Sequence, residues 1–190
     1  MLRLTTVIFT CLLLTSQSLG AIQVNGIEIP DTVTLPGTGT ELVLNGAGVR
    51  EKFFMDIYIG ALYLESRTHD PAAILADTGH ASILMHFTYS EVSREKIIEG
   101  WTDGLAENLS AERMQAIKPR LDRFNSLFRT VVKGDVIRID YLLEHGTQVR
   151  INNELLGSVE GNDFFRDLMQ IWLGPRPVSK SLKSNMLGLH

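Results

Sequence analysis

The sequence predicts an α+β fold, an antiparallel sheet with helices packed on one side. Strand-like runs group at the front of the chain (22–64) and return as hairpins near its end (135–159), with two helical patterns between them. The stretch 42–64, LVLNGAGVREKFFMDIYIGALYL, adds a second signal. Its latter half is apolar on both faces, so that strand has protein on either side of it. At 190 residues, 44% of them hydrophobic and 21% charged, the chain suits a single globular domain, placed at 21–190.

Residues 1–20 are read separately, as a signal peptide. Met1-Leu2-Arg3 is a short basic start, Val7 to Leu14 is an apolar run too short to span a bilayer well, and Ser18 and Gly20 supply the small residues before a cleavage site. The alternative, a buried N-terminal helix, finds no amphipathic spacing to support it. Cleavage after Gly20 leaves no stable membrane span and predicts an exported protein, periplasmic or secreted. The only cysteine, Cys11, leaves with the leader, so the mature chain has no disulfide or thiol nucleophile.

Ile22 to Ile29 alternates around Asn25-Gly26, a tight-turn signal between two short strands. Thr32–Leu35 and Glu41–Leu44 follow as strands. Gly46-Ala47-Gly48 then reads as a corner that delivers Arg50 to the long strand Phe53–Leu64, with Gly60 as a bend or close-approach point. Pro71–Ala76 is a short helix capped by Asp70, and Ser82–Tyr89 returns to strand. Ser93 opens a helix with Ile97, Ile98, Trp101 and Leu105 on one face. A second helix carries Met114, Ile117, Leu121, Phe124 and Phe128, with Pro119 expected to kink or restart it. Asp135–Leu143 and Thr147–Ile151 form a hairpin, Leu155–Val159 adds a strand, and helices at Phe164–Leu173 and from Ser179 close the chain.

Several chemistries find no residues to carry them. A formal charge of −4 without a basic stripe argues against nucleic acid. The histidines at 69, 80, 86, 145 and 190 lack metal-ligand spacing, no phosphate loop opens a helix, and no G-x-S-x-G elbow occurs, so no cofactor or metal is expected. Asp140 and Glu144 are read as solvated hairpin carboxylates, not a catalytic pair. Asn108-Leu109-Ser110 matches a glycosylation acceptor, a triplet frequent by chance. Arg50 is the first candidate for ligand contact: a guanidinium at the edge of an apolar layer keeps its charge and needs an anion or acceptor there. The plainer alternative pairs it with Glu51.

LNGAGVR, the aromatic strand ending GALYL, SREKI, KGDVIRIDY and IWLGPRPVSKSLKSNMLG stand in an order and spacing that resembles the chalcone isomerase family, more narrowly its exported bacterial chalcone isomerase-like members. The resemblance runs from about Gln23 to Gly188. It implies an open-faced β-sandwich-like fold, a large antiparallel sheet under a layer of helices, with a cleft between them. It also implies site residues: Arg50 matches the family arginine, and Lys96 the lysine in the first turn of the helix. Ser93, Gly100 and Ile171 stand where the enzymes carry tyrosine, asparagine and a hydroxyl residue, and Tyr58 replaces a strand threonine. Lost donors of this kind cost about 2–4 kcal/mol each in transition-state stabilisation. Non-catalytic relatives bind fatty acids through an arginine and a tyrosine, a pair that Arg50 and Tyr58 resemble more closely.

Two functions follow. One is a non-catalytic, monomeric binder of a fatty acid or other amphipathic or aromatic acid, with Arg50, Tyr58 and Lys96 as ligand-binding residues. The other is a cofactor-free isomerase acting on an unsaturated carbonyl compound, with Arg50 and Lys96 as catalytic residues. A purely interacting envelope protein is a third possibility. Each residue has a structural alternative: Tyr58 as core, Lys96 as a solvated residue facing Glu99, and Trp101 and Trp172 as core rather than ligand platforms.

Overall fold

The computed structural model describes residues 20–77 and 79–189. The leader up to Leu19, with Cys11, lies outside them, as do Thr78 and His190. The chain runs β1 (Ala21–Val24), β2 (Ile27–Pro30), β3 (Thr32–Thr34), β4 (Glu41–Lys52), β5 (Met55–Leu64), α1 (Pro71–Ala76), β6 (Ala81–Phe87) and β7 (Glu91–Val92). It continues through α2 (Arg94–Ala106), α3 (Ala111–Ser126), β8 (Val131–Val132), β9 (Val136–Leu142), β10 (Gly146–Ile151), β11 (Glu154–Val159), α4 (Asn162–Leu173) and α5 (Lys180–Met186). Seven strands form one antiparallel sheet in the order β11-β10-β9-β6-β5-β4-β3, while β1–β2 and β7–β8 pair separately.

Side-chain alternation sorts the sheet into two faces. Leu62, Leu64, Ile83, Met85, Ile137 and Ile139 point to one side, where all five helices contribute to a single large core. Ile59, Ala61, Tyr63 and Leu84 point to the other, where Ile27 and Ile29 of the β1–β2 hairpin cover part of the sheet. The central strand β5 is thus buried on both faces, as its doubly apolar sequence demands. Helix starts follow their capping side chains: Asp70, Ser93, Ser110 and Ser179 each accept a backbone N–H of the first turn.

Several expectations are overturned. The glycines at 46 and 48 form no corner; β4 runs through them, and the chain reverses at Phe53-Phe54, which separates the paired residues Lys52 and Met55. Their role is close approach by α5. A Cβ on Gly46 would lie 2.1 Å from the Asn185 carbonyl oxygen, and one on Gly48 2.5 Å from the Asn185 side chain. Asn45, buried beside them, donates to the Met186 carbonyl at 2.8 Å and accepts from the Thr68 N–H at 2.8 Å, pinning α5 and the loop between β5 and α1.

Asp140 is not solvated. It is fully buried on the face away from the helices, 3.0 Å from Arg138 and 3.8 Å from Arg150, and it accepts from the Ser82 hydroxyl at 2.6 Å. Three strands supply these partners, which is why hairpin polarity misleads there. Glu144 is exposed. Helix α3 continues through Pro119 without restarting. Asn108 has no amide left for a glycan: it donates to the Gly104 and Arg176 carbonyls at 3.0 and 2.9 Å and accepts from the Arg176 N–H at 2.9 Å.

Candidate functional site

Helix α5 fills the groove over Gly46, Gly48 and Gly60. Beyond it, large side chains return to the sheet and a cavity of about 580 Å3 opens between the ends of β4, β5 and β6 and helix α2. Arg50 and Tyr58 begin it. They are register partners across β4 and β5, so their side chains leave the sheet on the same face. Between this pair and the next, Glu51–Asp56, residue Ile57 has no partner. This β-bulge lets Ile57 and Tyr58 both line the cavity, while its carbonyl is satisfied by the Thr88 and Tyr89 N–H groups at 3.0 and 3.2 Å. The bulge also turns Asp56 away, toward a 2.7 Å hydrogen bond from Asn25, so Asp56 does not share a face with Tyr58 as simple alternation suggests.

Tyr58 is held on three sides. Its ring lies 5.6 Å from that of Phe87 by centroids, and its Cε2 is 3.3 Å from the position a Cβ would take on Gly60. Its hydroxyl accepts from the Trp172 indole N–H at 3.1 Å. Burial pushes the hydroxyl up to about 12, partly offset by the Trp172 hydrogen bond and the Arg50 charge. The phenol therefore stays protonated at neutral pH, and no acceptor for its hydrogen stands among the described residues. The Arg50 guanidinium donates to the Glu51 backbone carbonyl, and no described carboxylate lies within ion-pair distance of it.

Lys96 also lines the cavity, but as a rim residue. Its ammonium sits 2.7 Å from Glu99, with 68% of the side chain exposed, and that hydrogen bond raises its pKa. Ser93 lines the wall while its hydroxyl caps α2. Gly100 faces open space, a Cβ there meeting nothing within 4 Å, and Ile171 adds apolar wall. Trp101 is core and cavity floor at once, packed on Phe124, Phe128 and Trp172, its buried indole N–H finding no hydrogen-bond partner among the described residues. The remaining lining is mainly apolar, from Phe53, Met55, Met85, Val92 and Val178, with Glu91, Glu99 and Asp103 as carboxylates.

Sequence reasoning missed Trp172 as the partner that orients Tyr58. It also missed the wall built by the β4–β5 turn, because Phe53-Phe54 carries no turn chemistry. Among the described residues, no cluster of three or more His, Cys, Asp or Glu could hold a metal ion, and no helix is long and apolar enough to cross a membrane.

The profile of the chalcone isomerase-like family matches residues 21–188. The chain belongs to the chalcone isomerase-like family. Among solved structures it is similar to a fatty-acid binding protein of Arabidopsis thaliana, with a TM-score of 0.65 and 16% identity over 82% of this chain and 95% of that one. At that identity the likeness concerns the fold: a large antiparallel sheet with helices, the α+β architecture expected. No curated protein sequence matches the chain. In this member of the family a cavity lies against Arg50, Tyr58 and helix α2.

Proposed function

We propose that this chalcone isomerase-like protein is a non-catalytic binder of an amphipathic acid, a fatty acid or an aromatic acid with an apolar body. One observation carries the reading: a guanidinium without a carboxylate partner and a protonated phenol face the same side of an apolar cavity of about 580 Å3. That volume falls within the roughly 300–1,000 Å3 usual for small-molecule sites. A ligand carboxylate would accept from Arg50 and from the Tyr58 hydroxyl, with Trp172 fixing the phenol from behind and the tail lying along Met85, Ile97 and Ile171. Lys96, engaged by Glu99 at the rim, adds long-range attraction rather than a first contact. The name of the Arabidopsis neighbour, a fatty-acid binding protein, supports the reading.

Ring closure of the isomerase kind needs hydrogen-bond donors aimed at a developing oxyanion. Ser93 accepts the Lys96 N–H as the α2 cap and gives its hydroxyl hydrogen to the Glu95 carboxylate, and Gly100 and Ile171 offer no donor side chain, which weighs against catalysis. The proposal includes export of a monomer to the periplasm or beyond, supported by the basic start, the apolar run and the small residues before Ala21. N-terminal sequencing of the mature protein should then begin at Ala21.

Calorimetry with decanoate tests the binding itself. Arg50→Ala should weaken binding by roughly a hundredfold or more, the scale of a charge-assisted bidentate contact, and leave the melting temperature almost unchanged. Equal affinity in the variant, or no heat with the native protein, removes the proposal.

A further inference from the structure

Three two-residue hairpin loops in this chain place both central residues in the left-handed region. Asn25-Gly26 has φ 49° and 76°, Asn152-Asn153 has 51° and 68°, and Phe53-Phe54 has 51° and 63°. This turn matches the twist of the flanking strands, and it selects Asn and Gly because other residues meet steric cost there. Two loops obey the rule. The third puts two phenylalanines where that cost is high and then leaves them 79% and 97% exposed. Met55, next in the chain, is 41% exposed, and the Lys52 ammonium lies 5.8 Å from the Phe53 ring centroid. Phe53 lends an edge to the cavity and carries Lys52 over its ring, but most of Phe53 and nearly all of Phe54 stay uncovered, so compensation for the disfavoured backbone lies mainly outside the folded chain.

We propose that the Phe53-Phe54 tip inserts into the interfacial layer of a lipid bilayer and sets the cavity mouth against it, so that an amphipathic acid passes between the membrane and the cavity. This rests on the acid-binding reading above. The occupant follows from three features. The first is area: two phenylalanines offer about 150–250 Å2 each, well short of the roughly 800 Å2 per partner of a stable protein interface, yet enough for shallow insertion. The second is charge: the Lys52 ammonium stands over the Phe53 ring, where headgroup phosphate would meet it once the ring inserts. The third is position: Lys52, Phe53 and Met55 line the same cavity as Arg50 and Tyr58, so ring-deep insertion brings its opening to the headgroup level, where a carboxylate would leave the bilayer. With a formal charge of −4 on the whole chain, insertion rather than long-range attraction carries the docking, so its salt dependence is weak.

Phe54 does not line the cavity, and asparagine accepts left-handed backbone, so Phe54→Asn separates docking from folding and from acid binding. In sedimentation with vesicles of phosphatidylcholine and phosphatidylglycerol (3:1), the native protein should partition to lipid and Phe54→Asn should lose about tenfold or more, the scale of one ring withdrawn from the interface. Its melting temperature should equal or exceed the native value, and its decanoate affinity should be unchanged. In Phe54→Trp the new indole should shift to the blue and be quenched by bromine-labelled acyl chains, against native tryptophans that are 4% and 1% exposed. Native protein that stays in the supernatant, Phe54→Asn that binds vesicles like the native chain, or an unquenched Phe54→Trp overturns the docking. So does a concentration-dependent dimer that Phe54→Asn abolishes, which would assign the tip to a second copy. Vesicle binding with no decanoate binding in the native protein would remove the acid-binding reading, and with it the passage of ligand, while the docking stands.

Discussion

Tyr58→Phe isolates one oxygen atom at the candidate site. The ring keeps its contacts with Phe87 and its place beside Gly60, but Trp172, 1% exposed, loses the acceptor of its 3.1 Å indole hydrogen bond. A buried donor left without a partner costs about 1–3 kcal/mol. At about 2–4 °C per kcal/mol for a domain of this size, the melting temperature should fall by roughly 2–12 °C. The acid should bind more weakly as well, by about 1.5–3 kcal/mol or roughly ten- to a hundredfold, the worth of a hydrogen bond to a charged group. High pH adds a signed check. The folded hydroxyl titrates at about 12 against an ordinary 10.0, so the stability tied to it is whole below pH 10 and is lost as pH climbs toward 12, at about 1.4 kcal/mol per pH unit. Tyr58→Phe lacks that loss, so the two proteins should converge in stability across this window. Urea unfolding at neutral pH and near pH 11, with decanoate calorimetry, gives all three numbers. An unchanged melting temperature would show that the indole does not depend on this oxygen, and unchanged affinity would show that the phenol does not hold the acid.

Gly46→Ala drives a Cβ to 2.1 Å from the Asn185 oxygen and 2.9 Å from the Met186 oxygen, backbone atoms that cannot turn aside. It should cost about 3 kcal/mol or more and release α5, seen as faster hydrogen exchange from Lys180 to Met186. Asp140→Ala leaves Arg138 and Arg150, 12% and 13% exposed, without their carboxylate, and should lower stability in urea by about 3–5 kcal/mol. Lys96→Ala at the solvated rim should change decanoate affinity less than about threefold, far below the effect of Arg50→Ala.

Much of the fold was legible because local chemistry marks it directly. Asn25-Gly26 announces its hairpin, Asp70 and Ser93 announce their helices, and the doubly apolar run through Tyr58 to Leu64 announces a strand covered on both faces. The candidate site was legible in a narrower sense. Arg50, Tyr58 and Lys96 came from residue type and motif order, and all three line one cavity, although Lys96 stands at its rim beside Glu99. The turn at Phe53-Phe54 was not legible, since nothing in two phenylalanines favours left-handed backbone.

The order of periodic segments and the turn and capping residues, all short-range properties, determined the fold class and most element boundaries from the sequence alone. Tertiary structure decided what depends on distant residues meeting. Glycines that read as a corner became the seat of α5, Asn45 beside them meets Met186 at a separation of 141, and a hairpin aspartate became the centre of a buried ion cluster. The Trp172 hydrogen bond to Tyr58 joins residues 114 apart. Such contacts are set by how layers pack, and hydrophobic periodicity names the layer a residue faces without naming the neighbour it will touch.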